Sequence, residues 1–164
     1  MKRRINQITI HVTETPNGYP ISIEDINAAF KSIGHKRDSQ NARNFNADLK
    51  HIGYHRVIEV DGTIKKGVHL EEEGSPFTNK TDHSIDVVLV GTDKFTKQQL
   101  NALHGCIISL ADLISGRSII ASELAMHALK NMDIHVKSAN SAFFNADAWY
   151  KNAMKIPAEH LLEL

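Results

Sequence analysis

The chain has 164 residues, 41% of them apolar, with 19 Lys+Arg balanced by 19 Asp+Glu. Zero formal net charge argues against broad, charge-driven nucleic-acid binding, and no window approaches the ~18 apolar residues of a membrane span. One cysteine, Cys106, permits no internal disulfide and fits a reducing compartment. The N-terminal "MKRRINQITIHV" is basic, but Asn6, Gln7 and Thr9 interrupt its apolar run. It therefore lacks a signal-peptide core, and a cytoplasmic location is expected.

"QITIHV" (7–12) alternates and is β-branched, which predicts a strand. "TETPNGYP" (13–20) is loop by its Pro and Gly content. "SIEDINAAFKSIG" (22–34) predicts a helix, with Ser22 as N-cap, Asp25 at N3 and Gly34 as the stop. Residues 35–51, "HKRDSQNARNFNADLKH", are polar and Asn-rich without a clear period, with a short helix over "ARNFNADLKH" as the alternative. In "IGYHRVIEVDGTIKKG" (52–67) an Asp61-Gly62 pair between alternating apolar residues signals a hairpin, and Tyr54 and His55 stand at its mouth. Residues 68–83 read as a long loop and "SIDVVLVG" (84–91) as a buried strand. Residues 96–116 form the strongest predicted helix, with a Thr96/Gln99 capping box and Gly116 at the end. "RSIIA" (117–121) reads as a strand, the stretch after it is unassigned beyond a helical turn, and 145–155 reads as a helix. Alternating strands and helices predict an α/β class with one central sheet. Cys106 falls on the apolar side of its helix, as a small core residue.

The order of these pieces resembles the zinc N-acetylmuramoyl-L-alanine amidases of the phage-lysozyme and peptidoglycan-recognition-protein type. "ITIHVTETPNG" resembles the family opening I-H-C-S-A-T-P-x-G. "HIGYHRVIEVDGTIKKG" resembles D-I-G-Y-H-Y-V-I-x-x-D-G-T-V-x-x-G-R. "GSPFTNKTDHSIDVVLVG" is similar to G-A-H-x-x-G-x-N-x-x-S-I-G-I-C-L-V-G, and "FTKQQLNALHGCIISL" to F-T-x-x-Q-L-x-A-L-x-x-L. The match runs through most of the chain. It implies a central mixed β-sheet flanked by helices on both faces, a single amidase-like domain over 1–164, and a polar insertion at about 35–51.

In the family, a zinc held by two histidines and a cysteine or aspartate activates water against the muramoyl–L-alanine amide, with a tyrosine assisting. By resemblance His11 stands at the first ligand position and Tyr54 at the catalytic tyrosine; alone, Tyr54 would read as a packed tyrosine with its hydroxyl satisfied nearby. The second ligand position aligns with Ser122. The third, counted back from Trp149, aligns with Ser141, and Pro76 replaces a family histidine. A serine hydroxyl is a poor zinc ligand beside imidazole or thiolate, so no zinc is expected. A shifted loop bringing His127 or His135 beside His11 is the alternative.

The resemblance then implies a catalytically degenerate, phage- or prophage-encoded protein acting by binding, with His11, Tyr54, Ser122 and Ser141 lining one cleft. Its expected partner is a host or phage protein, or a peptidoglycan fragment. The alternative is an active peptidoglycan amidase, an endolysin with an atypical zinc site. Segment 35–51 is either a tolerated surface insertion or the partner-binding feature that replaced catalysis, using Arg37, Arg43 and Phe45; on the second reading, deleting residues 36–47 leaves stability nearly unchanged and abolishes capture of a host protein.

Overall fold

The computed structural model describes residues 3–77 and 83–163. Five strands form one mixed sheet in the order β3-β2-β4-β1-β5. They are β1 (Gln7–Val12), β2 (Arg56–Ile58), β3 (Ile64–Lys66), β4 (Ser84–Leu89) and β5 (His135–Ser138). β4 lies at the centre of the sheet, parallel to β2 and to β1; β1 is parallel to β5 on its other side, and β2 is antiparallel to β3. The five residues from Glu59 to Thr63 close the β2–β3 hairpin. There Gly62 adopts a left-handed φ of 88° and donates its N–H to the Glu59 carbonyl, a conformation glycine enters without steric cost.

Strand alternation divides the sheet into two unlike faces. Ile8 and Ile10 of β1 and Ile85, Val87 and Leu89 of β4 join the larger core. That core is completed by α3 (Lys97–Ser115), α4 (Ser122–Asn131) and α5 (Ala146–Lys151). On the opposite face Val57 and Val88 pack with Ile23, Ile26 and Phe30 of α1 (Ile23–Ser32). Both capping boxes form as their sequences predict, Ser22 with Asp25 and Thr96 with Gln99. Gly116 closes α3 at φ 68°. The central mixed sheet with helices on both faces is therefore the observed architecture.

Residues 117–121 are not a strand. They join two helices: Asp112 accepts the N–H of Ile119, and Ile120 is 85% exposed. The chain instead runs through α4, which buries Ala125, Ala128 and Leu129, before entering the sheet as β5. β-Branched residues alone do not make a strand; here the place beside β1 is filled by β5.

Segment 35–51 is built into the fold. It contains α2 (Ser39–Asn44), capped by the Asp38 carboxylate, and it is built around Arg37, which is 3% exposed. The Arg37 guanidinium donates from Nε and Nη2 to both Glu72 oxygens at 2.8 Å. It also donates to the carbonyls of Phe45, Asn46 and Leu49 at 2.8–3.0 Å. Arginine's rigid fork of donors suits this task, holding a loop's carbonyls and a carboxylate at once. The segment is thus pinned to the loop after the hairpin, and the expectation that it can be removed without loss of stability is replaced by the opposite one. Arg37→Ala leaves a buried carboxylate and several carbonyls without their donor. It should lower unfolding stability by about 3–5 kcal/mol, read from urea denaturation against wild type.

Candidate functional site

β1 and β4 are parallel and in register, so Thr9 lies beside Asp86 and Gln7 beside Ser84. All point away from the larger core, and a polar chain results. His11 Nε2 donates to Asp86 Oδ1 at 2.8 Å. Ser84 Oγ donates to the same oxygen at 3.1 Å and lies 2.7 Å from Thr9 Oγ1. The Asp86 amide donates to His55 Nδ1 at 2.9 Å, and His55 Nε2 donates to the Glu72 carbonyl at 2.7 Å. His55 is therefore the neutral tautomer with its proton on Nε2. Its 3.5 Å approach to Asp86 Oδ2 is proximity rather than an ion pair, because Nδ1 already accepts the amide proton. Asp86 and His55 are fully buried and His11 is 4% exposed.

Tyr54 is set beside this chain by backbone constraints on both sides. Its carbonyl accepts from Val68, and Gly67 passes so close that a Cβ there would collide with that carbonyl oxygen. The Tyr54 ring packs 5.1 Å from His11 and, edge-on, 5.1 Å from Phe30. Burial, and then the charges of Asp86 and Glu14, raise the Tyr54 hydroxyl above its ordinary range, so it is a neutral phenol at physiological pH.

His11 and Tyr54 line a cavity of about 280 Å³ together with Glu14, Phe77, Asn140 and Phe143. Ser141 lies within the 139–143 segment that borders the cavity, is exposed, and is not in its lining. Ser122 is not there: it opens α4, and the strand next to β1 is β5. The register pairs Ser138 with Ile10, and the Ala139 amide donates to the Ile10 carbonyl. The position beside His11 on the neighbouring strand is therefore Ala139–Asn140, not Ser122. His135 pairs with Gln7, four residues along β1 from His11, and contacts Asp133 at 3.3 Å. His127 is on α4 beside Asn131. Neither reaches the cavity.

The donor set does not fit a zinc centre. His11 has turned Nε2 to a carboxylate, and among the described residues the cavity lining offers no second imidazole and no thiolate. Among the described residues no group of three or more His, Cys, Asp or Glu is placed to hold a metal ion. Cys106 lies in the core on the other face, its thiol pushed up to about 12 by burial, so it is no nucleophile at neutral pH.

The sequence pattern did not single out Asp86, Glu14, Asn140 or Phe143. One signal was available for the first. A carboxylate inside the otherwise apolar "SIDVVLVG" needs a buried partner, and a histidine one strand away supplies it.

This sheet and cleft define the class: the chain has the fold of N-acetylmuramoyl-L-alanine amidases and peptidoglycan-recognition proteins. No protein-family model matches it. The endolysin of Klebsiella phage KP32 is 22% identical over 167 aligned positions, covering 97% of this chain and 94% of that one. Among solved structures, the N-acetylmuramoyl-L-alanine amidase LysC from Clostridium intestinale superposes with a TM-score of 0.51 at 21% identity. That match covers 83% of this chain and 70% of the amidase. PGRP-Hd from Alvinella pompejana gives 0.50 at 16% identity, over 92% and 81%. The chain thus has an amidase-like fold and is similar along its length to phage endolysins. Among the described residues no helix is long and apolar enough to cross a membrane.

The raised Tyr54 value sets a pH dependence. Because the folded-state value is the higher, the native chain retains protons that the unfolded chain has lost above roughly pH 10. Tyr54 thus contributes stability that is present below that pH and falls as pH rises further. Tyr150 and Cys106, also raised by burial, act with the same sign. Urea denaturation from neutral to strongly alkaline pH should show this fall, and Tyr54→Phe should make it shallower.

Proposed function

We propose that this protein is a phage-encoded, catalytically degenerate amidase-like protein that holds no zinc and acts by binding peptidoglycan fragments in the cleft beside Tyr54. The observation that carries this reading is the 2.8 Å bond from His11 Nε2 to Asp86. At the first family ligand position the imidazole is committed to a buried carboxylate, and the neighbouring positions carry Ala139 and Asn140 in place of metal ligands. A zinc amidase needs three protein ligands and an open fourth site to polarise the amide carbonyl and activate water. Losing even one donor to a developing oxyanion costs roughly 10²–10³ in rate. What remains is a concave site with aromatic walls and a few polar groups, the usual anatomy of a ligand pocket.

The end-to-end relation to an endolysin favours a second reading, an active peptidoglycan amidase with an atypical metal site. Two measurements separate them. The purified protein, dialysed after zinc loading, should retain no stoichiometric metal. Incubated with purified sacculi, it should release no stem peptides while sedimenting with wall fragments. About one equivalent of tightly held zinc, lost on His11→Ala, would establish the second reading, since structural zinc affinities are high enough to survive dialysis. Wall hydrolysis by the unmodified chain would do the same. Failure to bind wall fragments, with capture of a host or phage protein instead, would move the reading to a protein partner.

A further inference from the structure

The cavity beside His11 has an unusual imbalance between donors and acceptors. Among the described residues no lysine or arginine lines it. Its polar groups are the Glu14 carboxylate, which only accepts, and the His11 ring, whose Nε2–H is already given to Asp86. The Tyr54 phenol and the Asn140 amide can play either part. A ligand fitting this set supplies N–H donors and positive charge. Tyr54, Phe77 and Phe143 add aromatic surface around the same space, and ring faces attract cations. A volume of about 280 Å³ admits a side-chain-sized group and lies at the low end of the ~300–1,000 Å³ range of small-molecule sites.

Glu14 is fixed where this requires it. Its φ of 59° is left-handed, a conformation that costs a non-glycine residue on the order of 1 kcal/mol. Its amide is tied to the Gly91 carbonyl at 2.9 Å, so the strained turn is held from the end of β4. The charges of Glu14 and Asp86 both act on Tyr54, which brings the two carboxylates' fields into one site. The Asp86 charge is shared with His11 and Ser84. The Glu14 carboxylate forms no ion pair among the described residues and remains available to a ligand.

Resting on the wall-fragment reading above, we propose that the His11–Tyr54 cavity is a receptor for an alkylammonium group, the free amine of a stem-peptide side chain. The ammonium sits against the Glu14 carboxylate, and its alkyl stem lies on the rings of Tyr54, Phe77 and Phe143.

The test uses the full-length protein and two pairs of probes. Nα-acetyl-L-lysine amide should shift the backbone NMR signals of Tyr54 and Asn140, while its Nε-acetylated twin should bind at least about tenfold more weakly. Glu14→Gln is exposed and should leave the melting temperature unchanged. It should weaken the lysine amide by about tenfold at low salt, with the difference shrinking as salt screens the charge. Equal binding of the two lysine derivatives, or no effect of Glu14→Gln, overturns the assignment. The second pair, soluble muropeptides with their amine free or acetylated, separates the two readings. If both bind equally, the wall-fragment reading stands and the ammonium receptor falls. If the lysine amide binds but neither muropeptide does, the cavity is still an alkylammonium receptor, but its assignment to a stem peptide falls together with the wall-fragment reading.

Discussion

A carboxylate with no exposed surface is stable in a folded chain only where donors surround it. Asp86 meets this condition at the centre of the sheet, where His11 of β1 and the Ser84 hydroxyl of its own strand both donate to Oδ1. β1 and β4 must be in register for it to do so. The carboxylate orients His11, while the Asp86 backbone amide fixes the tautomer of His55, whose Nε2 through the Glu72 carbonyl connects the sheet to the loop that Arg37 clasps. One buried residue therefore links the cleft floor to the segment 35–51.

This arrangement changes what the cleft can do. A histidine at the end of β1 could offer a lone pair to a ligand in the cleft if its outer nitrogen faced it. Here Nε2 is turned to a carboxylate held in the sheet, and the adjacent strand end contributes alanine and asparagine. The aromatic wall is nonetheless in place: Tyr54 packs between His11 and Phe30, and Phe77 and Phe143 flank the opening.

Segment 35–51 shows how polarity misleads when buried arginine is involved. Its composition is that of a surface loop, and Arg43 and Phe45 are compatible with that. Arg37 reverses the picture, because one guanidinium answers a carboxylate and a set of loop carbonyls that would otherwise face the interior unpaired. The segment is part of the folded structure through that side chain.

The sequence by itself determined the elements whose signals are local. Capping boxes at Ser22 and Thr96, the Asp61-Gly62 turn and the alternation of "QITIHV" each rest on contacts within a few residues, and each appears as expected. The family order of these pieces also carried the mixed sheet and placed His11 and Tyr54 together. Only the tertiary structure decided which later segment became the strand beside β1. "RSIIA" and "IHVKS" are both short and β-branched, and α4 packing on α3 gives the edge to the second. With that choice the residue facing His11 changed from Ser122 to the Ala139–Asn140 corner. The roles of Asp86 and Arg37 were equally invisible locally, since a buried charge is defined by partners 75 and 35 positions away in the chain.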